Sequence, residues 1–180
     1  AALDIFPNCR VVMRRPISKG FFCSIDKGDG SGLEANDIDL IKKRMSEIVA
    51  EAMPFHRHEV PIAEAIDVFR QLGHMDKVKL LETCGEVYIS YYTLGGTADY
   101  YYDVLVPDAG YLKVWDLTPY RGGALLRVPD RHKPEALAPF FEQPKTFDVF
   151  SESIKWNNIM GLDNVGDVNQ ACLKGKATDL

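Results

Sequence analysis

His56 and His58 stand two residues apart in a stretch of strand-forming character, Phe55-His56-Arg57-His58-Glu59-Val60. Residues i and i+2 of a strand share a face, so both imidazoles point one way, as two metal-binding histidines would. A metal needs further ligands, and no third histidine or cysteine lies nearby in sequence. Arg57 and Glu59 around the pair suit a solvent-facing edge, and no metal ligand is assigned. His74 follows a helix-ending glycine and reads as a cap-region residue, while His132 sits between Arg131 and Lys133 in a polar loop.

A second group is aromatic. Tyr88, Tyr91, Tyr92, Tyr100, Tyr101 and Tyr102 each offer a ring and a polar tip, able to stack a base or line a cleft. Packing within a sheet is the commoner use of such rings. In Tyr100-Tyr101-Tyr102 alternate rings must face opposite sides of a strand, which brings aromatic surface close to Asp103. Arg10, Arg14, Arg15 and Lys19, with Arg121 and Arg127 flanking Gly122-Gly123, would make an anion-binding face. Charges of this kind more often keep a hairpin soluble and its edge unpaired. His56, His58, Tyr100, Tyr102, Asp103 and Arg121 are the candidate ligand contacts. No GxxxxGK[ST], GxSxG, HExxH or GxGxxG occurs, so no catalytic residue is assigned and the segment cannot itself be a P-loop kinase. The acidic loop Asp26-Lys27-Gly28-Asp29-Gly30 puts a glycine where an EF-hand needs its second ligand, and reads as a solvated turn.

The chain has 180 residues, 46% hydrophobic and 26% charged, with a formal charge of −5. That length allows one domain with a tail, and the negative balance argues against broad, sequence-blind nucleic-acid binding. Cys9, Cys23, Cys84 and Cys172 are scattered singly, which suggests a reducing cytoplasm rather than a disulfide framework, with Cys9 and Cys23, in strand-like stretches, as small buried hydrophobes. No apolar run is long enough to cross a bilayer. The opening Ala1-Ala2-Leu3-Asp4-Ile5-Phe6-Pro7 reads as the last turns of a helix ended by proline, and the closing Ala171 to Leu180 as a fresh helical start, so an excised segment is expected.

These residues are positioned by elements that the periodicity predicts. Cys9 to Asp26 reads as a hairpin turning at Ser18-Lys19-Gly20. Ile38, Ile41, Met45, Ile48, Val49 and Ala52 recur at helical spacing up to Pro54. Phe55 to Val60 reads as a short strand, Pro61 opens a helix carrying Ala65, Ile66, Phe69 and Leu72, and Gly73 closes it. Asp76 is the expected cap of a third helix through Val78 and Leu81. Between Glu86 and Val128 the Tyr/Val/Leu-rich sequence, broken at Gly95-Gly96, Pro107 to Gly110 and Gly122-Gly123, predicts several antiparallel strands. After Pro129 a polar stretch leads to a helix with Phe147, Phe150, Ile154 and Ile159 as contact residues.

Read in order, Phe6-Pro7, Ser18-Lys19-Gly20-Phe21-Phe22 with Asp26, the helix from Ile38 to Met53, Pro54-Phe55, Glu59-Val60, Ala63-Glu64-Ala65, Phe69, Leu72-Gly73 and Lys77-Val78 resemble the editing domain of bacterial threonyl-tRNA synthetases. The resemblance spans about Ala1 to Asp130. It implies an α+β fold, an antiparallel sheet wrapped around a long helix, over 1–130, with a mostly helical extension over 131–180. That family deacylates mischarged tRNA with an early HxxxH, which would precede Ala1, and a later Cys and His four residues apart. Aligned through Val106-Pro107 and Gly110, the later pair falls on Tyr101 and Leu105. Tyrosine, with a pKa of about 10, is a weak base near neutral pH, and leucine has no proton to exchange.

Val114-Trp115-Asp116-Leu117-Thr118-Pro119-Tyr120-Arg121-Gly122-Gly123 and Gly166-Asp167-Val168-Asn169-Gln170-Ala171 further resemble the amino-terminal region of bacterial uridine-kinase-related proteins, in which an editing-like domain precedes a nucleoside kinase. This implies a non-catalytic accessory domain with a degenerate editing site, whose partners are its own downstream kinase domain and a nucleotide or tRNA ligand. The segment itself needs no cofactor, while the parent kinase would use Mg-ATP. The alternatives are an aminoacyl-tRNA deacylase with altered residues, drawing on His56, His58 and Asp103, and a pure protein-interaction domain.

Overall fold

A computed structural model describes residues 1–175 of the chain. The elements run α1 (Ala2–Ile5), β1 (Arg10–Ile17), β2 (Gly20–Asp26), α2 (Ala35–Ala50), β3 (His56–Pro61), α3 (Ile62–Gln71) and α4 (Met75–Leu81). They continue with β4 (Tyr88–Leu94), β5 (Thr97–Tyr100), a 3-10 turn at Ala109–Tyr111, β6 (Asp116–Tyr120) and β7 (Gly123–Arg127). Last come β8 (Pro129–Asp130), β9 (Lys133–Leu137), α5 (Pro144–Met160) and α6 (Val165–Leu173). The class is α+β with antiparallel pairing throughout, as the sequence predicts and consistent with an editing-domain-like fold.

The chain divides into two compact units, one of Ala1–Met53 with Asp108–Phe150, the other of Pro54–Pro107 with Ser151 onward. The strands are divided as well, because β7 pairs with β2 and carries β6 at its other edge, while β4 pairs with β3 and carries β5. Position 130/131, the expected end of the sheet domain, falls at the turn of the β8–β9 hairpin inside the first unit. That hairpin comes from a stretch whose polarity suggests only loop; β9 is exposed along most of its length and carries no buried face to reveal it.

In the first unit the sheet order is β1-β2-β7-β6. The β1–β2 turn places Ser18 at φ 49° and Lys19 at φ 59°, the two left-handed positions that match the twist of a two-residue hairpin. Neither is glycine, and the turn is held from outside: Ser18 Oγ accepts the Phe141 N–H at 2.6 Å, and the Ser18 N–H donates to Gln143 Oε1 at 3.3 Å. Gly20 is required where β7 crosses, since a Cβ there would come within 2.7 Å of the Leu126 carbonyl oxygen. The register shifts between Met13 and Pro16, as expected for a proline on an edge strand.

Helix α2 lays Ile38 and Ile41 against Cys23, Leu117 and Ala124 of the sheet, all buried. Its start is secured by Asp37, whose Oδ2 accepts the Glu34 N–H at 2.9 Å and Lys27 Nζ at 2.9 Å. Burial pushes the Cys23 thiol up, in keeping with a cysteine used as a small hydrophobe.

In the second unit β3-β4-β5 packs one face on α3 and α4, through Ala65, Phe69, Val78, Leu81, Ile89, Tyr91 and Ala98. The residue at the α4 N-terminus is His74, and Asp76, the expected cap, lies inside the first turn. The chain leaves Gly73 at φ 75° and re-enters helix at once, so the start falls two residues earlier than a carboxylate cap would put it. Helix α6 seats on α4 through Gly166, where a Cβ would meet Lys79 Cβ at 2.7 Å. Lys79 Nζ reaches Asp167 at 2.6 Å and Asn169 Nδ2 donates to Thr83 Oγ1 at 3.0 Å. Along α5, Phe147 packs edge-on to Phe22 at 5.1 Å and Phe150 lies under Arg15. Ile159, expected to make contacts, is exposed near the end of α5, where the neighbouring Met160 is exposed as well.

Phe69, fully buried, is expected to cost about 3–5 kcal/mol when cut to alanine, read as a lowered urea midpoint; a loss under about 1 kcal/mol would mean that this core is not as described. The backbone N–H of Glu34, then the Lys27 ammonium, hold the Asp37 carboxyl below its ordinary range. Stability from this group is therefore present above the unfolded pKa of about 3.9 and is lost as pH falls toward the lower folded value. In Asp37→Asn the acid limb of a stability-against-pH curve should be shallower, and an unchanged limb would rule the contact out.

Candidate functional site

The β4–β5 hairpin turns at Gly95-Gly96, with Leu94 opposite Thr97 and the ladder running to Tyr91 opposite Tyr100. Beyond Tyr100 the chain leaves the sheet, and Tyr88 to Ser90 have no strand beside them on that side. A cleft of about 370 Å³ occupies the gap, with Tyr101 to Val104 along one wall and Tyr88, Ser90 and Tyr92 along the other. Arg57, Leu80, Cys84, Glu86, Ile89 and Tyr100 complete it.

Two ring pairs shape the walls. Tyr100 and Tyr102 meet edge to face at 5.1 Å and 66°, and Tyr92 and Tyr101 at 6.2 Å and 72°. Tyr92 is buried, and its Oη accepts the Leu105 N–H at 3.2 Å. Burial, then the Asp99 charge, pushes the Tyr101 phenol above its ordinary pKa. Tyr100 is raised by burial and then by Tyr102, Cys84 and Glu86. Cys84 donates its thiol hydrogen to the Leu81 carbonyl at 3.3 Å.

Tyr100, Tyr101, Tyr102 and Asp103, named from the sequence, all line this cleft, and Leu105 adjoins it through Tyr92. The histidines do not. His58 pairs with Tyr91 and stacks on its ring at 4.9 Å, so it shares the core-facing side, whereas Arg57 pairs with Tyr92 on the other. His58 Nε2 is hydrogen-bonded to Thr93 Oγ1 at 2.9 Å, and His56 is exposed. Among the described residues no group of three His, Cys, Asp or Glu side chains is placed to hold a metal.

Arg121 belongs to the first unit and the cleft to the second. Its guanidinium is taken up by Glu142 at 3.2 Å and Asp148 at 3.8 Å and lies over the Tyr120 and Phe147 rings. Lys19 is similarly spent on Asp130 at 3.2 Å, and Arg127 on the Ala138 carbonyl at 2.8 Å. At these positions the cations are taken up by internal partners rather than left as an anion-binding face.

Tyr88 and Tyr92 are among the rings the sequence offers for a cleft, whereas Arg57, Ser90, Cys84 and Glu86 are not predicted as ligand contacts. Alternation could have found Ser90, which shares a face with Tyr88 and Tyr92; Cys84 and Glu86 come from the irregular α4–β4 connection, where sequence carries no periodic signal.

No family model matches the chain. It is 32% identical over 124 residues, 68% of its length, to the threonine–tRNA ligase of Laribacter hongkongensis, covering 19% of that protein. It is 28% identical over 115 residues to the threonine–tRNA ligase of Azobacteroides pseudotrichonymphae, 64% of this chain and 18% of the ligase. Over 119 residues, 66% of this chain and 18% of the other, it is 27% identical to that of Porphyromonas gingivalis. The chain thus spans about a fifth of the length of the curated relatives it matches. These likenesses support the threonyl-tRNA synthetase side of the resemblance. Among the described residues no helix is long and apolar enough to cross a membrane.

Tyr92→Phe is expected to cost about 0.5–1.5 kcal/mol and to speed hydrogen exchange at the Leu105 amide. Unchanged protection at Leu105 would mean that Tyr92 does not hold the 101–105 segment.

Proposed function

We propose that this chain is a non-catalytic binding module of the threonyl-tRNA synthetase editing type, whose tyrosine-walled cleft takes a nucleoside or the end of an RNA strand. The observation that carries it is the position of Tyr101. The residue standing where the resemblance implies the editing cysteine lines the cleft. A phenol is already neutral at physiological pH, and the upward push on Tyr101 leaves it a ring fit for stacking and unfit as a base. The histidines that a substitute hydrolase would draw on belong to the opposite face, with the His58 ring stacked on Tyr91.

In the intact protein the module's proposed partner is a downstream uridine-type kinase domain, which would draw on Mg-ATP in the cytoplasm. The segments Val114 to Gly123 and Gly166 to Ala171 support that link through their resemblance. A second reading, an aminoacyl-tRNA deacylase with altered residues, is favoured by the relatives being threonine–tRNA ligases and by Asp103 standing in the cleft.

The test is a pair of measurements on the chain. Adenosine and uridine are titrated by NMR, with shifts expected at Tyr101 and Tyr102, and mischarged threonine tRNA is incubated with the chain, with no hydrolysis above buffer expected. Turnover abolished by Asp103→Asn would replace the binding reading with the deacylase. Uridine phosphorylation by the full-length protein with Mg-ATP checks the kinase link, which fails if none occurs.

A further inference from the structure

The cleft also has a charge. Three charged side chains face it, Arg57, Glu86 and Asp103. Arg57 is already partnered, with Nη2 on the wall residue Ser90 at its Oγ, 2.8 Å away, and on the Glu59 carboxylate at 3.4 Å, which offsets its charge. Asp99, next along β5, is matched by Lys77 at 2.8 Å. Glu86 and Asp103 have no ion pair or side-chain hydrogen bond among the described residues, and the surplus charge of the cleft is negative. A phosphate-rich ligand would meet repulsion there.

The rings favour the opposite charge. An aromatic face attracts a cation lying within about 6 Å of its centroid, and several faces around a quaternary ammonium make a cage. Tyr100 and Tyr102, 66° apart in plane, form one corner, and Tyr92 with Tyr101, 72° apart, form another. Glu86 is near enough to help hold the Tyr100 phenol protonated, so the corner keeps its neutral rings while a carboxylate stands beside it.

We propose that the cleft takes an organic ammonium group, seated against the Tyr100–Tyr102 corner with Glu86 and Asp103 as counter-charges. This rests on the reading that the cleft is the ligand site, and it sharpens the ligand: a nucleoside-bearing molecule entering here carries an amine near its ring and keeps its phosphates outside. Neutral hydrophobic binding would not discriminate by charge, whereas cation–π attraction with two carboxylates does.

The test compares choline with its uncharged isostere 3,3-dimethylbutan-1-ol by NMR titration of the chain. Choline is expected to bind at least about tenfold more tightly, in keeping with a partly desolvated cation–π site. Tyr102→Leu and Asp103→Asn, both at exposed positions, should each erase most of that preference while leaving the spectrum of the folded chain intact. Equal affinity for the two probes, or a choline preference untouched by either variant, overturns the proposal. Adenosine and uridine are titrated separately: binding of a nucleoside without choline preference leaves the proposed function standing and removes this inference. Choline preference without nucleoside binding does the reverse, and no binding of any probe removes both.

Discussion

The second unit is organised by the point at which β5 abandons β4. Pairing ends with Tyr91 opposite Tyr100, and three more steps of the same register would have set Ser90, Ile89 and Tyr88 against Tyr101, Tyr102 and Asp103. The departing segment is caught instead by one side chain, Tyr92, which meets the Tyr101 ring and accepts the Leu105 N–H. A buried phenol oxygen needs a partner, and a chain leaving a ladder has amides to offer. The cleft, its aromatic walls and the raised Tyr101 pKa all follow from that exchange.

The residues that carry the kinase-type resemblance have structural work of their own. Leu117 is in the core over α2, Asp116 reaches Lys42 at 2.5 Å, and Gly123 lies so close to the Cys23 carbonyl that a Cβ would sit 2.5 Å away. In the tail, Gly166, Asp167 and Asn169 are the residues that fasten α6 to α4. Each set packs within its own unit, the first over α2 and the second on α4, so the resemblance at these positions is first a likeness of packing.

Local signals were the legible ones. The stripe Ile38-Ile41-Met45-Ile48, the Pro61 and Gly73 boundaries and the Ser18-Lys19-Gly20 turn each depend on a few neighbouring residues, and each is where the spacing puts it. The division of the strands was not legible, because the joining of β7 to β2 rather than to β5 depends on pairing between segments some hundred residues apart in sequence. The ring triplet Tyr100 to Tyr102 pointed to aromatic surface beside Asp103, yet not to a gap, since nothing in a Tyr-rich run announces where a ladder stops. The histidine pair could not be placed either: that two imidazoles share a face is a matter of period two, while which face is buried is decided by Tyr91 and Phe69.

The chemistry of the cleft bears on what kind of site survives there. A hydrolytic base near neutral pH needs a group whose proton leaves easily, and Tyr101 is driven the other way by burial. Removing the phenolic proton would put a further negative charge near Asp99, in a cleft where Arg57, the cation among its described lining residues, is already engaged by Ser90 and Glu59. The same surroundings that disable the tyrosine as a base make its ring a better seat for a positive ligand. A chain with a formal charge of −5 adds little pull on phosphates at such a place, and the proposed ligand would enter with its neutral or positive end first.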